Sequence, residues 1–187
     1  MTLPLSVVQE LIQSAQSGDS LAYEKLIQAY TAPLYRLARR FVRDDQEAES
    51  ILQETFWRVW QNLARYQNDR PFFPYLVTIT VNLVRDRWRS SVWLAEDDLD
   101  TVENDPVDLL SNPEELLVNE EQQALLVEAI EQLSPHYRVV IALRYQANYS
   151  YEKIAEILDL PINTIRTHLR RAKQALRAKM EANNGPP

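Results

Sequence analysis

SYEKIAEILDLPINTIRTHLRRAKQALR, residues 150–177, is the stretch whose reading decides the fold. Ser150 can cap a short helix, Asp159-Leu160-Pro161 forms a tight turn, and a longer helix follows. Short helix, turn and long helix are the outline of a helix-turn-helix. In the first helix Ile154, Ala155 and Leu158 supply the inward face, and the small Ala155 permits close approach of the second. On the second helix Ile165, Leu169, Ala172 and Leu176 recur at i, i+4, i+7 and i+11, within one narrow arc. About 100° around that helix lie Asn163, Arg166, Thr167 and Arg170, a stripe that Lys173 and Arg177 continue.

A helix that reads DNA needs polar residues near its N-terminus to reach base edges and cations to meet phosphates. Asn163, Arg166, Thr167 and Arg170 suit the first task; Arg171, Lys173 and Arg177 suit the second. Residues 161–179 hold six Lys/Arg and no acid, although the whole chain has a net charge of −7. A basic stripe alone also fits a solvated amphipathic helix whose charge confers only solubility. The preceding short helix, the proline-containing turn and the absence of acids favour the reader.

Working outward, the charge divides the chain into three parts. Residues 1–89 carry a net +1, residues 90–137 carry 13 acids and no Lys or Arg, and residues 138–187 carry a net +5. The acidity therefore belongs to the middle. Two Gly in 187 residues and abundant Leu, Ala, Gln, Glu and Arg point to an all-α chain. Ser17-Gly18-Asp19 ends a first helix, and Asp19 caps a second with Leu26, Tyr30, Leu34, Leu37 and Phe41 inward. Asp44 and Glu47 have capping-box spacing and open a third, with Ile51, Leu52, Thr55, Phe56, Val59 and Leu63 as its apolar stripe. LVTITVNLV is rich in β-branched residues, yet a lone strand has no pairing partner. The segment is expected to be helical, with Phe72, Leu76, Ile79 and Leu83 on one face. Residues 91–112 read as an acidic linker between two small helical domains, 1–90 and 113–187.

Several classes of function are excluded. There is no Cys, hence no disulfide and no Cys-based metal site. His136 and His168 lack a Glu three residues earlier, and no Gly-rich phosphate loop or serine elbow is present. No catalytic residue, metal or cofactor is expected. The longest uncharged apolar stretch, residues 71–84, is too short to span a bilayer, and the N-terminus lacks signal-peptide character. These features fit a soluble cytoplasmic protein without membrane insertion.

SGDSLAYEKL, DDQEAESILQETFWRVW and FFPYLVTITVNLVRDRWR resemble region 2 of a bacterial RNA polymerase sigma factor of the extracytoplasmic-function (ECF) type. LSPHYRVVIALRYQANYSYEKIAEILDLPINTIRTHLRRAKQAL resembles region 4. The similarity covers most of the chain, in order. It departs at Ser50, where Asp is usual, Tyr75 (Trp), Asp159 and Asn163 (Gly) and His168 (Arg).

The resemblance implies promoter-specific initiation with core polymerase. Glu47, Glu49, Gln53 and Glu54 match the surface that docks on the clamp helices of the largest subunit. Asn82, Arg85, Asp86 and Arg89, with Tyr75, match the element that melts and captures the −10 sequence. Ser150, Tyr151, Asn163, Thr164, Arg166, Thr167, His168, Arg170, Arg171, Lys173 and Arg177 fall on the −35 reader. The helix with Leu133, Val139, Val140 and Leu143 would supply core and contacts to the flap of the second-largest subunit. An anti-sigma factor is a further implied partner. The acidic linker either mimics a polyanion, weakening non-specific DNA binding, or is simply solvated. Two other functions compete: a free-standing helix-turn-helix regulator with residues 1–89 as a sensing or dimerisation domain, and a helical adaptor without a DNA role.

Overall fold

The structure, a computed structural model, describes residues 3–67, 70–87 and 120–183. The linker expected at 91–112, the start of the second domain at 113, and Trp88 and Arg89 lie outside the described residues. The chain divides into two compact units, Met1–Ser90 and Ser91–Pro187. The described residues form eight α-helices and one 3-10 turn, with no strand among them.

The first unit comprises α1 (Leu5–Gln16), α2 (Ser20–Phe41), α3 (Asp45–Asn62), the 3-10 turn Leu63–Arg65 and α4 (Phe72–Arg87). Gly18, at φ 98°, supplies the left-handed residue that turns α1 into α2. One carboxylate oxygen of Asp19 then accepts the amides of Leu21 and Ala22 at 2.9 and 3.2 Å. Asp44 likewise accepts the Glu47 amide at 2.8 Å and starts α3. The inward stripes expected of α2 and α3 are buried in full.

α4 is a helix despite its β-branched residues. Its seam with α3 brings the Thr55 and Thr80 hydroxyls to 3.1 Å; one donates to the other, and the acceptor of that pair donates to the carbonyl of its own helix, Ile51 or Leu76. Both buried hydroxyls are thereby satisfied. The expected inward face needs one correction. Phe72, Leu76 and Leu83 are buried but Ile79 is half-exposed, while Val77, Thr80, Val81 and Val84 are buried. The reason is that α4 packs against both α2 and α3, so its covered arc is wider than a single stripe.

The second unit comprises α5 (Glu120–Glu131), α6 (Pro135–Tyr145), α7 (Tyr151–Leu158) and α8 (Ile162–Asn183). α8 is its hub, touching α5, α6 and α7. Ile165, Leu169, Ala172 and Leu176 are all buried, each large one contributing about 1.5–3 kcal/mol on transfer from water. On α7 the inward set is Ile154, Ile157 and Leu158, whereas Ala155 is half-exposed. Arg138 is buried at 5% exposure and closes the end of α5, donating to the carbonyls of Glu131 and Leu133 at 3.1 and 3.4 Å.

Candidate nucleic-acid and protein-docking interfaces

The reader geometry begins at the cap of α7. The Ser150 hydroxyl accepts the Lys153 amide at 3.2 Å, so Ser150 sets the start of that helix. Asp159 ends it in the left-handed conformation at φ 53°, and the Leu160 amide returns to the Ala155 carbonyl at 3.1 Å. This sharp stop lets α8 begin at Ile162 and turn a polar face outward.

Around α8, Asn163, Arg166, Arg170 and Arg177 are exposed, and Thr164, Thr167, Arg171 and Lys173 are half-buried. Arg166 Nη1 donates to Asn163 Oδ1 at 3.1 Å, which holds the guanidinium along the first turn. Glu152, on α7, has its carboxyl held below the usual carboxylate range. Its own backbone amide and the Ser150 hydroxyl are the main causes, with attraction to Arg166 and Arg144 added. Tyr151 lies under the Arg144 guanidinium at 5.2 Å and Tyr145 beneath the Lys173 ammonium at 5.8 Å. The structure therefore gathers ten of the eleven residues expected of the −35 reader on accessible parts of α7 and α8.

His168 is the exception and a correction. It is 5% exposed and packs against the ring of His136, centroid to centroid 5.2 Å, on the covered side of α8. Residue 168 is three after Ile165 and four before Ala172, so the helical period itself sets it on the apolar seam.

In the first unit Glu49 and Gln53 are exposed and Glu47 and Glu54 half-buried, all on α3. Glu54 pairs with Arg58 at 2.9 Å. Sequence reasoning passed over the two residues that dominate this face, Trp57 and Trp60, which are 55% and 39% exposed. Together with Tyr23, Ile27 and Phe56 they line an open apolar groove between α2 and α3. The signal was present: residues 53, 57 and 60 share one face, off the buried stripe of 52, 56, 59 and 63. Large apolar side chains set in a polar rim mark a protein-binding surface.

At the end of α4, Asp86 and Arg87 are exposed and Asn82 and Arg85 half-buried. Tyr75 is half-buried in an aromatic cluster, 4.8 Å from Tyr66 and 6.3 Å from Phe72, and burial pushes its hydroxyl pKa up. Its ring is therefore held by core neighbours rather than projecting alone. Arg89 lies outside the described residues. Among the described residues no group of three or more His, Asp or Glu is placed to hold a metal, and no helix is long and apolar enough to cross a membrane.

One helical unit thus exposes an apolar groove, and the other presents a cationic helix-turn-helix. The family model of Sigma-70 region 2 matches residues 26–94, and that of Sigma-70 region 4 matches residues 123–176. The ECF RNA polymerase sigma-E factor of Escherichia coli K12 is 30% identical over 186 residues, covering 92% of this chain and 94% of that protein. The RNA polymerase sigma-H factor of Pseudomonas aeruginosa is 29% identical over 175 residues, covering 90% and 91%. The chain belongs to the ECF sigma factors of the sigma-70 family. In fold it matches CnrH, solved in complex with the cytosolic domain of CnrY, with a TM-score of 0.65 at 22% identity over 95% of this chain and 99% of that one.

Proposed function

We propose that the promoter-specific work of this sigma factor is divided among three faces. α8, with the start of α7, reads the −35 element: Asn163, Arg166, Thr167 and Arg170 reach base edges, while Arg171, Lys173 and Arg177 meet phosphates. The end of α4, with Asn82, Arg85 and Asp86, captures the melted −10 strand. α3 docks on the clamp helices of the largest polymerase subunit through Glu47, Glu49, Gln53 and Glu54, with Trp57 and Trp60 as its apolar anchors. The α6 side of the second unit rests on the flap of the second-largest subunit.

The observation that carries this division is the burial pattern of α8. A face of Ile165, Leu169, Ala172 and Leu176 is fully covered, and the stripe beside it offers exposed Asn163, Arg166, Arg170 and Arg177. Charge reversal by Arg166→Glu and Arg170→Glu tests it. Initiation that depends on the upstream element should be lost while binding to core polymerase is retained; unchanged upstream preference would contradict the assignment.

An anti-sigma protein that covers the α2–α3 groove is the partner proposed for the inactive state. The acidic residues between Glu96 and Asp108 are proposed to weaken non-specific DNA binding of the free chain, so neutralising them should raise salt-sensitive binding. The factor carries out no catalytic step of its own and acts in the cytoplasm, where polymerase works.

A further inference from the structure

α3 and α4 are tied by a bond between side chains 37 residues apart in sequence: Arg87 Nη2 donates to the Ser50 hydroxyl at 2.9 Å. Both residues are exposed, and they border a shallow cleft that Glu54, Trp57, Arg58 and Asp86 also line. The acceptor is neutral. A serine oxygen fixes the direction of a guanidinium with one lone pair and leaves its positive charge uncompensated, whereas a carboxylate there would form an ion pair. Glu54, the α3 carboxylate in the same cleft, is already engaged by the Nε of Arg58 at 2.9 Å. Asp86 precedes Arg87 on α4, and adjacent helical side chains diverge by about 100°. Arg85 adds a second cation at the same helix end.

We infer that Ser50 is a positioning residue for Arg87, a neutral tether that aims the guanidinium at a promoter phosphate without quenching its charge. The inference rests on the reading of α4 as the −10 element. It adds to that reading a DNA contact, Arg87, and a residue on the polymerase-docking helix that tunes it.

Salt dependence reports the charge directly. One phosphate contact contributes about 0.7 (single strand) to 0.9 (duplex) to the slope of log affinity against log salt. The experiment uses the full chain with core polymerase and measures open-complex formation on one fixed promoter across salt, together with core binding in the absence of DNA. Ser50→Asp should lower the slope by that amount. Between about 50 and 200 mM salt its affinity should then fall about threefold less than that of the unaltered chain. Ser50→Asn, a neutral acceptor, should keep the original slope. Arg87→Gln should reproduce the Ser50→Asp slope, and the two changes combined should add nothing further. The tether is overturned if Ser50→Asp retains the original slope, or if Asp and Asn shift it equally. It is also overturned if Ser50→Asp weakens only core binding, since Arg87 would then face the polymerase. Should the unaltered chain open no promoter at all, the assignment of α4 itself fails, a result distinct from an unchanged slope.

Discussion

The two units solve opposite surface problems with the same secondary structure. In the first, acids and exposed indoles share α3: Glu47, Glu49 and Glu54 lie on the helix whose Trp57 and Trp60 line the apolar groove. In the second, α8 has no acid before Glu181 and spreads its cations over more than three turns. Protein recognition draws on desolvated aromatic anchors, whereas duplex recognition draws on counterion release and directional hydrogen bonds. The contrast teaches that the net charge of the chain says little about its DNA surface.

The largest effect should come from the apolar side of this comparison. Trp57→Ala removes an exposed anchor and should weaken core-polymerase binding by about 2 kcal/mol or more, roughly thirtyfold. Thermal unfolding should hardly change, because the indole is half in water. A comparable loss of folding stability would instead make Trp57 a core residue. On the polar side, Arg170→Ala should cost about 1–3 kcal/mol at the preferred −35 sequence and relax the preference at one position, read by selection from a promoter library. Lys173→Ala or Arg177→Ala should weaken binding evenly across sequences and lower the salt slope by about one.

Smaller effects test the scaffold of the reader. Asp159 holds a left-handed conformation that Gly adopts without strain, so Asp159→Gly should stabilise the second unit by about 1 kcal/mol in denaturant unfolding. Tyr149 has a buried hydroxyl with no hydrogen-bond partner among the described residues, and burial pushes its pKa up to about 12. Its ordinary value of 10.0 applies once the chain unfolds. The neutral phenol therefore contributes stability that is complete below pH 10 and is lost as pH rises towards 12. Tyr149→Phe should flatten that loss and be neutral or slightly stabilising at pH 7, a comparison made by unfolding at both pH values.

Much of this was legible because helical period reports burial. Leu26, Tyr30, Leu34, Leu37 and Phe41 on α2, and the four-residue seam of α8, lie where spacing put them. Period failed where a helix is covered on two sides. Ile79 looked inward by spacing, but α4 touches two neighbours and buries Val77, Val81 and Val84 instead. His168 was assigned to DNA by the family pattern, against its own position on the buried arc. Trp57 and Trp60 escape a reading by period, because exposure of an apolar side chain depends on which partners the fold omits. The Ser50–Arg87 bond was illegible for a different reason: it joins positions that only the antiparallel pairing of α3 and α4 brings together.

The most direct test of the division of labour is in vitro transcription from a randomised promoter library, with purified bacterial core polymerase and this chain as its only sigma factor. Initiation should occur from sequences sharing two separated elements, and Arg166→Glu with Arg170→Glu should erase the upstream one alone. No initiation with core polymerase, together with tight sequence-specific duplex binding by the chain alone, would contradict it.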